Sequence, residues 1–164
     1  MPFPYPFLSP PLRRGLVLSA LLALGLPAAA QATRDDAKAL VGEAIQFLAQ
    51  NGREKLLAEV ARPQGHFHFQ PGQRKDLYIF VYDEKGTVLA HGVRLDLMGK
   101  NRWESKDPDG KPWIQDWTKL VQEKGSGWIE YKELNPAAGN KVMHKASFVA
   151  LKDQMIIGCG IYIP

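Results

Sequence analysis

The chain has 164 residues, 45% of them hydrophobic and 23% charged, which is enough apolar material for one compact domain. Its formal charge is +4, and setting aside the two arginines of the N-terminal segment leaves 19 basic against 17 acidic residues, so no basic stripe argues for nucleic acid. One cysteine, Cys159, excludes an intrachain disulfide and leaves stability to the core.

Residues 1–32 read as an export leader. Arg13 and Arg14 form a positive n-region, residues 15–26 (GLVLSALLALGL) are apolar but shorter than a bilayer span, and Pro27 breaks the run. Ala30-Gln31-Ala32 is a small-x-small cleavage signal. The preceding MPFPYPFLSPP is long and proline-rich for an n-region, which leaves the start codon and the choice of Sec or twin-arginine route open. The expectation is cleavage and a periplasmic or secreted domain over 33–164; the alternative is an uncleaved leader that anchors the chain to the inner membrane. Cys159 lies far from the cleavage site, which excludes a lipid-bearing N-terminal cysteine.

Beyond the leader, Thr33 and Asp36 have capping-box spacing, and Ala37, Leu40, Val41, Ala44, Ile45 and Leu48 recur every three or four residues. Asn51-Gly52 interrupts this amphipathic helix. Asn51 is expected to cap a second helix carrying Leu56, Leu57 and Val60, and Pro63 closes the helical region of 34–62. A loop marked by Gly65, Pro71 and Gly72 follows. Residues 77–92 (LYIFVYDEKGTVLAHG) read as two strands of β-branched and aromatic residues joined by a tight turn at 83–86, the second ending on His91. Asp107-Pro108-Asp109-Gly110 is a turn in which Asp109 is expected to close an Asx-turn and Gly110 to take a positive φ. Residues 111–124 read as a helix with Pro112 in its first turn and a bulky stripe of Trp113, Ile114, Trp117, Leu120 and Val121. Gly125-Ser126-Gly127 stops it, and strands over 128–132, 142–151 and 155–162 complete a sheet domain spanning 77–164. Two hairpins and no βαβ period predict an α+β fold, a five-stranded antiparallel sheet with a long N-terminal helix and a middle helical insertion on its faces.

Strand alternation assigns the side chains to faces. Leu77, Ile79 and Val81 share one face and Tyr78, Phe80 and Tyr82 the other; Met143, Lys145, Ser147 and Val149 oppose His144, Ala146, Phe148 and Ala150. Lys145 therefore stands mid-strand in a sheet covered on both faces, where an unpaired ammonium is costly. Either it receives the carboxylate of a small ligand, or its stem packs while its head reaches the sheet edge. His91 is either a hydrogen-bonded core group or a pocket group. Tyr78, Tyr131, Trp113 and Trp117 either line an aromatic pocket or are ordinary core. Cys159, between Gly158 and Gly160, reads as a small buried hydrophobe. His66-Phe67-His68 would set two imidazoles on one side of an extended segment, a weak metal pattern with no third ligand at fixed spacing. Asp107 and Asp109 lack the rest of an EF-hand ladder. No nucleophile elbow, H-E-x-x-H, P-loop or C-x-x-C occurs, so no catalytic residue, metal or cofactor is expected.

YIFVYDEKGTVLAHG, then GKN at 99–101, DPDGKPW at 107–113, GSGWIEYKELNP at 125–136, HKASFVAL at 144–151 and IIGCGIY at 156–162 together resemble the single Cache domains (type 2) of bacterial extracytoplasmic sensors. The resemblance implies a PAS-like sheet and a pocket between the sheet and the middle helices. That pocket would bind small metabolites, commonly carboxylates or amino acids, for a sensor kinase or chemoreceptor. It places Tyr78 and Phe80 on the first pocket-lining strand, His91 at the end of the second, Tyr131 in the glycine-tryptophan strand and Lys145 in the penultimate strand. With Trp113 and Ser147 these are the candidate ligand contacts. Val93-Arg94-Leu95-Asp96 stands where the family often has asparagine-proline, and Ser147-Phe148 where serine-tyrosine is usual, which removes a hydroxyl.

The chain ends at Pro164, directly after the last strand. The sequence thus predicts an exported, non-enzymatic binding domain without its own output domain, which presents a carboxylate or amino acid to a signalling partner. A membrane-anchored interaction module that works without ligand, and an enzyme with a cryptic site, are the alternatives.

Overall fold

A computed structural model describes residues 31–163, so the leader segment lies outside the described residues except for Gln31 and Ala32. Within them, three α-helices accompany five strands, which form one antiparallel sheet in the order β2-β1-β5-β4-β3. Helix α1 spans Arg34–Asn51 and is capped as its spacing predicts: the Thr33 side chain accepts the Asp36 N–H, and the Asp36 carboxylate accepts the Thr33 N–H at 2.8 Å. Asn51 does not cap α2 (Arg53–Ala61). It closes α1 instead, its Nδ2 donating to the Phe47 carbonyl, because Gly52 at φ +84° takes the junction and turns the chain. Ala37, Leu40, Val41, Ala44 and Leu48 of α1 are buried with Leu56 and Val60 of α2 on one face of the sheet.

Strand β1 (Phe80–Asp83) starts later than the sequence suggests, since Ile79 is held outside the ladder. Its N–H donates to the Phe67 carbonyl at 3.0 Å, and its carbonyl accepts from Gly92 N–H at 2.8 Å. Asp83 closes the turn to β2 (Val88–His91) by accepting the Lys85 and Thr87 N–H groups, and Gly86 takes φ +83°. In the 107–110 turn the accepting carboxylate is Asp107, not Asp109. One oxygen takes the Asp109 and Lys111 N–H groups, and the other takes Lys132 N–H, pinning the turn to the sheet.

Helix α3 (Trp113–Lys124) begins after Pro112 and ends at Gly125, φ +76°. Gly125 alone is the stop. Ser126 and Gly127 already pair with Ala150 and Val149, so β3 runs over Ser126–Asn135 against β4 (Lys141–Lys152), and β4 pairs with β5 (Met155–Ile163). The faces fall as alternation predicts. Leu77, Ile79, Val81, Ala150 and Cys159 join α1 and α2 in one core; Tyr78, Phe80, Tyr82, Tyr131 and Val149 join α3 in the other. The candidate site is in this second core.

Candidate functional site

Register brings the site together. Phe80 lies opposite His91 on β2 and Gly158 on β5; Lys145 lies between Tyr131 on β3 and Tyr162 on β5; Ser147 lies opposite Gly160. A Cβ on Gly158 would collide with the Phe80 ring, and one on Gly160 would strike Ser147 Oγ and come within 2.7 Å of Lys145 Cε. These two glycines, two apart and so on one face, form a notch into which Phe80 and the Lys145 stem fit. Phe80 is the hub. Its ring centroid is 5.5 Å from Lys145 Nζ, 6.3 Å from the His91 ring and 5.2 Å from the stacked Trp117 ring.

Lys145 is 2% exposed, so its head does not reach the sheet edge as the alternative reading required. Its ammonium donates to the Tyr78 hydroxyl at 2.8 Å and lies over the rings of Tyr78 and Tyr162, at 4.7 and 5.1 Å. No carboxylate of the described residues pairs with it. Burial works to lower its pKa, whereas the Tyr131 and Tyr162 phenols, when ionised, and Glu133 act to raise it. The net shift is upward, and the phenols of Tyr78, Tyr131 and Tyr162 are themselves pushed up by burial. At neutral pH the site is therefore one ammonium among neutral hydroxyls.

The hydroxyls are ordered. Tyr162 donates to the Leu134 carbonyl, which leaves its oxygen to accept from Tyr78 at 3.3 Å, and Tyr78 in turn accepts from Lys145. Tyr131 and Ser147 share one hydrogen bond of 3.1 Å, so one of their two protons remains available. His91 Nδ1 accepts the Val93 and Arg94 N–H groups at 3.2 and 3.0 Å, which puts the ring proton on Nε2. Burial, reinforced by Lys145, Arg94 and Arg102, pushes the His91 pKa down to about 3, so the ring is neutral.

All seven sequence candidates, Tyr78, Phe80, His91, Trp113, Tyr131, Lys145 and Ser147, are buried in or beside this core. The sequence reading omitted Tyr162, although its place on the same face as Gly158 and Gly160 follows from alternation. It also gave no role to Arg102, whose guanidinium lies 5.2 Å from the Trp113 ring. Tyr78, His91, Arg94, Arg102 and Glu133 surround a small cleft of about 20 Å³ at the mouth of the core. A larger groove of about 670 Å³ lies beyond Tyr162, between Lys75, Asp76 and Asn135. His66 and His68 lie in a turn and not in an extended segment. His66 Nε2 meets Glu43 at 2.8 Å, and His68 Nδ1 meets the Val60 carbonyl at 3.3 Å.

An antiparallel sheet with a long helix on one face and a polar-centred aromatic core under a shorter helix on the other defines a PAS-like α+β domain. The chain belongs to the single Cache domain 2 family, whose profile matches residues 27–164 and so begins inside the stretch read as leader. A segment of 91 residues is 33% identical to the sensor histidine kinase MctS of Rhizobium johnstonii, covering 54% of this chain but only 19% of that protein. Solved structures show the same fold. A methyl-accepting chemotaxis protein from Vibrio parahaemolyticus gives a TM-score of 0.66 at 20% identity over 79% of this chain and 87% of its own. A Cache domain described for carboxylic acid recognition in chemosensing gives 0.61 at 22% identity, over 79% and 92%. The chain is thus a Cache sensory domain, similar to the sensing domains of chemoreceptors and histidine kinases.

Proposed function

We propose that this domain binds a small organic carboxylate outside the cytoplasmic membrane, after export by its leader, and that a signalling partner reads the occupied state. It carries out no chemistry on the ligand. The supporting observation is Lys145, a buried ammonium within the aromatic core with a neutral tyrosine hydroxyl and, among the described residues, no carboxylate paired with it. An incoming carboxylate supplies the missing charge and replaces an ammonium–hydroxyl hydrogen bond by an ion pair. The remaining groups suit an anion. The spare protons of His91 Nε2 and of the Tyr131–Ser147 pair are donors, and the aromatic rings exclude water.

The test is titration calorimetry of the purified protein with acetate, propanoate and longer carboxylates, repeated on Lys145→Met, which keeps an apolar stem. Loss of a hydrogen bond to a charged group predicts affinity lower by roughly 10- to 150-fold in the variant. Equal affinity in the two proteins removes Lys145 from the site. No heat from any acid, with the wild-type protein folded, leaves the ligand-independent module as the reading.

A further inference from the structure

A sheet can recruit another chain wherever a strand edge is left open. Both outer edges of this sheet are closed by loops. Beside β2, the Gly99 N–H donates to the Val88 carbonyl and the Val88 N–H to the Lys100 carbonyl. Beside β3, Asp107 accepts the Lys132 N–H at 3.0 Å, and Lys111 Nζ donates to the Glu130 carbonyl at 2.6 Å. The open edge lies inside, on β5. That strand pairs with β4 as far as Ile163 but with β1 only from Met155 to Gly158. Lys75 and Asp76, at φ +53° and +61°, hold the preceding chain in a turn, and β1 begins only at Phe80.

Ladder parity identifies the groups left over. Ile79 directs its N–H and carbonyl to Phe67 and Gly92, away from β5, so Phe80 directs its own to Gly158. Gly160 and Tyr162, two and four residues on, point the same way. Leu151 sets the same phase from the other side: its N–H donates to Gly125, beside β3, which turns Ala150 and Ile157 toward each other and Gly158 toward β1. The Gly160 carbonyl and both backbone groups of Tyr162 have no backbone partner among the described residues, and the Gly160 N–H has only the Cys159 sulfur, a weak acceptor. Gly160 is nevertheless buried, where an unpaired backbone group is costly.

This edge is one wall of the groove of about 670 Å³ beyond Tyr162, and residues 75–77 are another. An unpaired main-chain edge in a cleft is matched by a second main chain. The charges of the groove exclude a charged occupant: Lys75 is held by Asp36 at 2.8 Å, and Asp76 accepts the Gly72 N–H at 2.9 Å. Ala32, Leu77 and Ile161 make its α1 side apolar.

We propose that the groove takes an extended, uncharged segment of the signalling partner as an added antiparallel strand, hydrogen-bonded to Gly160 and Tyr162 and placing an apolar residue opposite Ile161. The inference rests on the partner in the reading above and not on its acid. Tyr162 joins the two sites, since its backbone edge faces the groove while its hydroxyl meets Tyr78 beside Lys145.

The probe is acetyl-Val-Ser-Val-Ser-Val-amide, whose serines would face the β5 edge and whose central valine would oppose Ile161. Amide hydrogen exchange of the purified protein by NMR should show Gly160 and Tyr162 slowed by roughly tenfold or more with peptide, while Cys159 and Ile161, which face β4, do not change. N-methylation of both serines should weaken binding by roughly tenfold or more, and N-methylation of the central valine should not. Ala137→Trp, which fills the groove from the hairpin tip and leaves the ladder alone, should abolish peptide binding with acid binding intact. No protection by the peptide, equal binding of the serine-methylated form, or full affinity in Ala137→Trp would each overturn the inference. So would a Tyr162 amide already as slow as Ile161 without peptide, which means that the chain's own residues fill the slot, or protection that rises with protein concentration, which means that a second copy does. An acid that binds where the peptide does not leaves the carboxylate reading standing and removes this inference alone; a peptide that binds where no acid does has the reverse effect.

Discussion

His91 shows how one buried residue couples the site to stability. In the folded chain it stays neutral down to about pH 3, whereas its unfolded value is 6.5. Between those values the unfolded state holds the extra proton, so stability falls as pH drops through 6.5 and is fully present above it. At pH 5 the loss relative to pH 8 is about 2 kcal/mol from this residue. His91→Asn, whose Oδ1 replaces the accepting Nδ1, should remove about that much of the pH dependence in urea unfolding at the two pH values. An unchanged difference between pH 8 and pH 5 would show that His91 takes up its proton in the fold as readily as in the unfolded chain. Lys145 was readable from sequence because alternation puts it between Met143 and Ser147, in a strand that must be covered on both faces. The open edge at Gly160 was not readable, since alternation assigns side chains to faces and says nothing about where the neighbouring strand stops. Tyr162 lies between these cases: its face was legible, but its hydroxyl order depends on the Leu134 carbonyl, reached only through the length of the β3–β4 hairpin.

At the level of elements, helix positions and strand faces followed from periodicity, while the ends did not. Asn51 and Asp109 were assigned a cap and a turn that Gly52 and Asp107 provide: Gly52 takes the positive φ of the helix junction, and Asp107 and Asp109, two residues apart, compete for the same backbone groups. The first strand was drawn too long, as Ile79 pairs with Phe67 in the preceding loop. Strand β5 carries the sharper consequence. Gly160→Ala places a methyl against Ser147 Oγ and the Lys145 stem, so the ammonium must move. Carboxylate affinity should fall by tenfold or more, with stability lowered by about 1–3 kcal/mol from overpacking. Calorimetry and denaturant unfolding on the same sample separate the two effects, and unaltered affinity would show that the lysine head does not depend on the notch.

At the scale of the molecule, two cores share the central strands β1, β5 and β4, so neither helical layer can be lost without exposing the back of the other's sheet. Unfolding should then be a single transition. Far-UV circular dichroism, weighted to α1, and tryptophan fluorescence, weighted to Trp113 and Trp117, should give superimposable urea curves; a helix signal lost first would mean that α1 is a separate unit. The glycine notch limits how such a molecule can diversify. Its walls at 158 and 160 already have the smallest side chain available, so every mutation there makes the notch that seats Phe80 and the Lys145 stem shallower and none makes it deeper. Lineages that accommodate bulkier ligands must gain room elsewhere, through α3 and the 92–112 connection, while β5 can only restrict. Change in this fold is one-directional on the strand and reversible on the helix.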